Sequence, residues 1–506
     1  MTTQPAIRRA DRRRPSRRGI TILLVLMLIS MTLATCYALM RSQITAVQIG
    51  SNSNRALAAR QAAMAGMSAA MRKMHEGTWG GVGSTLSGSL TSTERYEAAY
   101  TAGDSALTSA STDYADLPYR VTINAKGFST DPTNAQLTAT ATVQAVMRLI
   151  PRALGTPPSN WPSIRQYTYY QTGDGFFSVD VPCRIEGPVR AQAIMRLSQL
   201  YSWGASTRQR YLGDLNAMRL SGTPDYRPLT GPIYAPLAQT DSTTKSLMTN
   251  QLGLSLVDIP VTTTPDMMLP EQLASYRLYP GGPSYSVGAL PSNLTNTTLV
   301  PDPLTNPLGI YFRGSGGSIG SGVTVTGTLI YNGDLAITGS NVHFAAPNLP
   351  PLYGSSETVR LPATVVRQKC SFGTDVDAVI DGSMLMGREF DVERGHEDAR
   401  LAVNGRVVAS GLSIRRRDQW NHISVVWDVL YTLFTNQLAD TNPPPIPYFP
   451  VYLREKFGHD PNPRLTVKPA VTPALDHWQN LGNPIFVAHP SDGGLRWELV
   501  RWTAAP

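Results

Sequence analysis

Apolar and polar positions divide this chain into three regimes. Residues 20–40 form a run without a single charged side chain. At about 1.5 Å per residue, a helix of that length spans about 31 Å, the thickness of a bilayer core. From Arg41 onward the pattern stays helical but becomes mixed. In "RALAARQAAMAGMSAAMRKM" (55–74), Leu57, Met64 and Met71 recur at a spacing of seven, with Met67 and Met74 joining them at offsets of three and four. That spacing predicts one apolar helix face seated on a head domain. Between the two halves lie Gly50-Ser51-Asn52-Ser53-Asn54, weak helix formers that predict a kink or local melting. A helix running from 20 to 74 would extend about 80 Å.

The third regime has a period of two. Residues 81–115 are rich in Ser, Thr, Gly and Ala and read as a loop or linker. "YRVTINAKGFS" (119–129) and "AQLTATATVQAVMRLI" (135–150) then alternate around Asp131-Pro132-Thr133-Asn134, which predicts a β-hairpin. A weaker repeat follows, in which a glycine, a short apolar strand, a break and a second strand succeed one another. It reads "EGPVRAQAIMRL" from Glu186, "TGTLIYNGDLAI" from Thr326, "DGSMLMGREFDV" from Asp381 and "NGRVVASGLSI" from Asn404. Such a repeat, with glycines at corners and Val, Ile and Leu stacking inward, suits the coils of a β-solenoid over 310–426. Ordinary hairpins with glycine turns are the competing reading. "GSGGSIGSG", within 309–322, lacks the Lys-Ser or Lys-Thr of a phosphate loop and reads as a flexible lead-in. A short helix is expected at 427–438, a rigid extended linker at "NPPPIPYFP" (442–450), and a strand at "LRWELVRW" (495–502). Alternation there would put Leu495, Trp497, Leu499 and Arg501 on one face, with Arg496, Glu498, Val500 and Trp502 on the other.

Charge sharpens the first regime. Seven arginines (Arg8, Arg9, Arg12, Arg13, Arg14, Arg17, Arg18) stand against Asp11 in the first eighteen residues, and the whole chain carries +8. The basic excess is therefore concentrated at the N-terminus. No later stripe of Lys and Arg interleaved with aromatics suits a nucleic-acid groove, and nucleic-acid binding is not expected. Arginines ahead of the apolar run hold that side in the cytoplasm by the positive-inside rule, placing the body outside. No second run of that length follows. The chain is thus expected to cross a bacterial inner membrane once, N-terminus inside, with its body periplasmic or at the cell surface.

Four readings of the run compete. A cleaved secretory signal would be short and followed by small residues; this run is long for that, although "TLA" and "CYA" are tolerable sites. A lipid-attachment site at Cys36 would want a small residue where Thr35 stands. A plain signal-anchor fits the physics of the span. A prepilin leader would be cut on the cytoplasmic side after Gly19, leaving Ile20 as the first residue and retaining the helix.

Arg18-Gly19, the apolar segment, the polar helix and "QAAMAGM" (61–67) resemble the N-terminal region of the PilX family of type IV pilus assembly proteins. The GspK-type minor pseudopilins of type II secretion are similar there. The resemblance covers about sixty residues. Met64 stands where members carry Glu, and Met67 where they carry Leu. Leu24 occupies the fifth position of the mature chain, where major pilins have a glutamate, which argues against a major subunit and suits a minor or tip subunit. The resemblance implies processing at Gly19 and Ile20 by a prepilin peptidase. It also implies an assembly helix including Leu24, Leu57, Met64, Met67, Met71 and Met74, with other pilin or pseudopilin subunits and the inner membrane as partners. The fold expected is α+β, a long pilin-like helix followed by a β-rich head. Its divisions are a leader (1–19), a transmembrane helix (20–40), its continuation (41–75), a linker (76–118), a hairpin with a first β-rich segment (119–200), an irregular Pro/Gly-rich region (201–309), the solenoid-like region (310–426) and a C-terminal part (427–506).

Candidate chemistry is sparse. The seven histidines do not cluster. His396, Glu397 and Asp398 are adjacent, and adjacent side chains on a turn or strand point apart, unlike spaced metal ligands. No Gly-x-Ser-x-Gly elbow occurs, and no His lies near Cys183 in the sequence to activate it. No catalytic residue, metal or cofactor is assigned, and the protein is expected not to be an enzyme. Glycan-active carboxylates on a solenoid face, or a solenoid that binds glycan or surface polymer, are the alternatives. Cys183 and Cys370 either form a disulfide in an exported body or remain two buried thiols.

Overall fold

The computed structural model describes residues 18–150, 166–173, 231–239, 255–260, 273–349, 360–374, 376–393, 400–414, 465–468 and 496–504, with short pieces between 177 and 249. One helix, α1 (Arg18–Met74), is 57 residues long, about 86 Å end to end. It runs unbroken through 50–54, against the expected melting. A single Gly costs a helix only about 1 kcal/mol relative to Ala, and the Arg55 guanidinium bonds Asn52 Oδ1 at 2.6 Å. The hydroxyls of Ser30, Thr32 and Thr35 donate to the carbonyls of Met27, Leu28 and Met31 at 2.9, 2.6 and 2.7 Å, so the polar side chains of the apolar run are satisfied within the helix.

The second half of α1 lies on a five-stranded antiparallel sheet. Its order is β1 (Thr85–Ser89), β2 (Glu94–Ala102), β3 (Arg120–Thr130), β4 (Thr138–Ile150) and the C-terminal strand (Arg496–Ala504). The expected hairpin is β3–β4. Its turn is tied by Asp131 Oδ1, which accepts from the Thr133 amide at 2.8 Å, and by Asn134 Oδ1, which accepts from the Gln136 amide at 3.0 Å. The supposed linker 76–118 instead carries β1 and β2. "ERYEAAYTA" alternates, and Ala98 and Tyr100 fall on the face beneath the helix; the surrounding Ser/Thr/Gly composition masked that pattern.

Apart from an antiparallel pair, Ser275–Tyr276 with Tyr285–Ser286, the remaining described strands form three parallel sheets of ten, eight and seven strands. The chain visits them in rotation, so every third strand adds to the same sheet. Ile310–Arg313, Gly317–Ile319 and Thr324–Thr326 make one circuit, and Thr328–Tyr331, Leu335–Ile337 and Val342–Ala345 stack upon it. Circuits beginning at Thr364 and Met384 follow. The circuit begun by Val407–Ala409 pairs with Tyr169–Gln171, so the late end of the chain closes onto its early end. Val189–Arg190, Ile233–Ala235 and Leu256–Asp258 extend the ten-stranded sheet beyond that seam. Within the region expected to be irregular, 201–309, Gly288–Ala289, Asn293–Leu294 and Thr298–Leu299 form the first circuit at the other end.

The expected repeat glycines lie at one corner, before the ten-stranded sheet. Of these, Gly327, Gly382 and Gly405 stack there together with Gly309, and Ala363 takes the place between Gly327 and Gly382: a Cβ on Gly327 would strike the Gly309 carbonyl, and one on Gly405 the Gly382 carbonyl. The glycine-rich stretch 309–322 is no flexible lead-in. Gly316 and Gly317 pack on Asp334 and Tyr331 at the next corner, between two strands of one circuit. The helix expected at 427–438 and the linker at 442–450 lie outside the described residues, as does the His396-Glu397-Asp398 turn.

Two cores result. One fills the space enclosed by the three sheets, with Leu329, Leu335, Phe344, Phe372, Ile380, Met384, Phe390 and Val403 fully buried. The other lies between the outer face of the ten-stranded sheet, α1 and the antiparallel sheet. The strands of the ten-stranded sheet are therefore buried on both sides, as in Thr328–Tyr331 and Met384–Met386, and their sequences are apolar at nearly every position. Strands of the other two sheets alternate, as in Leu335–Ile337 and Arg400–Asn404.

Candidate functional site: the long helix and its seat

The apolar part of α1 stands free of the protein body. Ile20 is 71% exposed and Leu24 56%, and Leu26, Met31, Leu39, Ile44 and Val47 are likewise exposed. The helix is long and apolar enough to cross a membrane. Gly19 and Ile20 lie in its first turn.

Contact with the body begins near Arg55. Its guanidinium reaches Asp131 Oδ2 at 3.0 Å and the Leu137 carbonyl at 3.4 Å, clasping the β3–β4 turn to the helix. Beyond it Ala59, Ala62, Ala63, Met67, Ala70 and Met74 are fully buried. They face Val121, Ile123 and Ala125 of β3 and Val143, Ala145, Met147 and Leu149 of β4. The expected stripe is thus split. Met67 and Met74 are in the seat and Met71 packs partly against it, whereas Leu57 and Met64 are exposed. At 100° per residue, Leu57, Met64 and Met71 lie well round the helix from Ala59, Ala63 and Ala70. The alanines carry the seat because the helix approaches the sheet closely. Gly127 of β3 lies beneath Ala59 and Ala63, and Gly66 of α1 lies against the Tyr96 ring. A large side chain on that face would hold the helix off. The methionine spacing drew attention to size where closeness decided the matter.

The Tyr100 hydroxyl donates to the Ala70 carbonyl at 3.1 Å. Burial, reinforced by Glu76 and Tyr96, pushes its phenol up to about 12. At the end of the seat Trp79, Tyr279 and Trp497 form an aromatic box with ring centroids 5.2–6.3 Å apart, joining α1's exit, the segment that crosses to the stacked sheets, and the C-terminal strand. The Val82 amide donates to the Gly281 carbonyl at 2.8 Å, a second tie to that crossing segment.

The far face of the antiparallel sheet carries an ion network. Buried Arg120 pairs with buried Asp104 at 3.2 Å and with Asp113 at 3.2 Å; Arg148 pairs with Asp116 at 3.3 Å and Glu498 at 3.1 Å; Arg501 pairs with Asp104 at 2.6 Å. Alternation had placed Arg501 with Trp497. A bulge between Leu499 and Arg501 changes the register and turns Arg501 to the charged face while Trp497 stays in the core.

On the seven-stranded sheet His343 Nε2 lies 2.8 Å from Asp381 Oδ2, and Asn404 donates to Asp381 Oδ1 at 2.7 Å. This half-exposed row has two metal-ligating side chains. Among the described residues no group of three or more His, Cys, Asp or Glu is placed to hold a metal. Cys370 is a free, buried thiol that burial pushes up. It lies in the eight-stranded sheet, whereas Cys183 belongs to a seven-stranded-sheet strand three circuits away. At about 4.8 Å per step that separation exceeds the Cα span of a disulfide, so the pairing alternative does not hold.

Neither a family model nor a curated protein matches this sequence.

Proposed function

We propose that this protein is a membrane-anchored structural subunit of minor pilin or pseudopilin type, serving type IV pilus or type II secretion assembly in a priming, tip or adhesion role. The observation that carries the reading is α1: an apolar half exposed from Ile20 to Ile49 continues, without a break, into a half seated on an antiparallel sheet. A plain anchor needs only the first half. A helix rigidly joined to a head suits a subunit that packs beside others through its helix while presenting the head. In this reading a prepilin peptidase cuts between Gly19 and Ile20, the N-terminus faces the cytoplasm, and the body lies outside a bacterial inner membrane. The work is assembly, not catalysis.

The three-sheet body is read as a β-solenoid. The rotation of strands among the sheets, the parallel pairing and the corner glycines support it. Its size favours a second reading, a signal-anchored solenoid that binds glycan or surface polymer.

N-terminal sequencing of the membrane-extracted protein separates the two. A start at Ile20, lost in Gly19→Lys while membrane insertion persists, supports pilin-type processing. An intact Met1 supports the plain anchor. A lipid on Cys36, or a start beyond it, rejects both.

A further inference from the structure

We propose that the C-terminal strand is exchanged between copies of this chain, the strand Arg496–Ala504 of one copy pairing with the β4 edge of another. The argument begins with chain order. β1 to β4 lie within residues 85–150, and only the fifth strand of that sheet comes from the end of the sequence. Until it arrives, the outer edge of β4 is an unpaired row of backbone groups from Val143 to Ile150, and Leu149 and Met147 on its inner face lack their outer neighbour. An open edge of that length is a template for whichever strand reaches it first.

The strand that closes it pairs with β4 at eight positions yet leaves much of its apolar surface to solvent. Trp497 is its buried anchor, while Leu499, Val500 and Trp502 remain exposed. The bulge between Leu499 and Arg501 interrupts the pairing. Inside the aromatic box Trp497 Nε1, Trp79 Nε1 and Tyr279 Oη are buried without a hydrogen-bond partner, a cost that insertion of the strand incurs. Its polar anchorage includes the Arg501–Asp104 and Glu498–Arg148 pairs. Residues 469–495 connect it to Leu465–Lys468, a length whose extended reach is at most about 90 Å. That covalent length does not by itself tie the strand to the chain's own β4. Exchange creates no new interface, because every contact is the same in either copy, so the closed and exchanged forms differ mainly in tether geometry and local concentration. The inference does not depend on the pilin-type reading.

The test uses Gln144 and Thr503, which face each other across this pairing. Full-length chains carrying Gln144→Cys with one tag and Thr503→Cys with another, both in a Cys36→Ser background, are co-expressed, extracted in mild detergent and oxidised. A disulfide-linked pair bearing both tags is expected. Absence of the two-tag species, while the doubly substituted chain links within itself, would overturn the proposal. So would a two-tag species that forms equally well between two Gln144→Cys chains, because that signals collision and not strand pairing.

Discussion

Gly127 of β3 lies directly beneath Ala59 of α1, so close that a Cβ at Gly127 would overlap the Ala59 carbonyl. The long helix is seated at backbone distance, and the small residues on both sides are the reason. Gly127→Val should therefore lift the helix from the sheet and destabilise the head by about 3 kcal/mol or more. Thermal unfolding of the detergent-extracted protein, with proteolysis near residues 55–74, checks this. A melting temperature within a degree of the parent would contradict the packing.

Tyr100 and Ala70 make the buried polar contact of that seat. Tyr100→Phe should cost about 1 kcal/mol. The phenol is pushed up to about 12 from its ordinary value of 10, so the folded state holds the proton more tightly than the unfolded state. The associated stability is full below pH 10 and declines as pH rises from 10 toward 12. Phenolate absorbance of the parent minus that of Tyr100→Phe should report this late titration.

Asp131 closes the β3–β4 turn onto Arg55. The Thr133 hydroxyl and amide, with the Arg55 charge adding to them, hold its carboxyl below the usual value of 3.8. The sign is opposite to that of Tyr100: the contribution is present above the ordinary carboxylate pKa and is lost as pH falls through the depressed one. Amide protection factors over 131–137, which remove the intrinsic pH dependence of exchange, should fall in acid, and Asp131→Asn should remove most of that change.

Glycines at the stack corner and in the helix should respond oppositely to alanine. Gly382 has φ +145°, and a Cβ there would press on the Cβ atoms of Ala346 and Ala363 at 2.8 and 3.0 Å. Gly382→Ala is expected to destabilise the stacked sheets by about 2 kcal/mol. Gly50 has nothing within 4 Å, and Gly50→Ala should stabilise the helix by about 1 kcal/mol. Circular dichroism melts of the two variants distinguish these outcomes.

Cys370 should resist maleimide in the native protein and label fully in denaturant, because burial both hides the thiol and disfavours its thiolate. Peptide mass analysis after pulse labelling is the measurement. Native labelling at the rate of a free thiol would place this residue outside the core.

The long helix, the β3–β4 hairpin and the terminal strand were legible because each follows a local period. So were the corner glycines Gly327, Gly382 and Gly405, since a tight shared corner favours a small residue, although the circuit begun at Thr364 has Ala363 there. Other features were hidden for identifiable reasons. β1 and β2 lay in a Ser/Thr-rich stretch whose alternation rests on small residues. The seat of α1 was misassigned to Leu57 and Met64 because large apolar residues were weighted above alanines. The Arg501 face was inverted by a single bulged residue.

What the sequence determined by itself was local: an apolar run of membrane length, arginines ahead of it, strand alternation and corner glycines. These follow from interactions within a few residues, or from transfer of side chains between water and an apolar phase. The tertiary structure decided which helix face meets the sheet, that the strand beginning at Arg496 pairs with β4, which ends at Ile150 far earlier in the chain, and that the Val407 circuit closes onto Tyr169. It also set Cys183 and Cys370 apart. Those outcomes depend on distances between segments remote in the chain, and no local period encodes such distances.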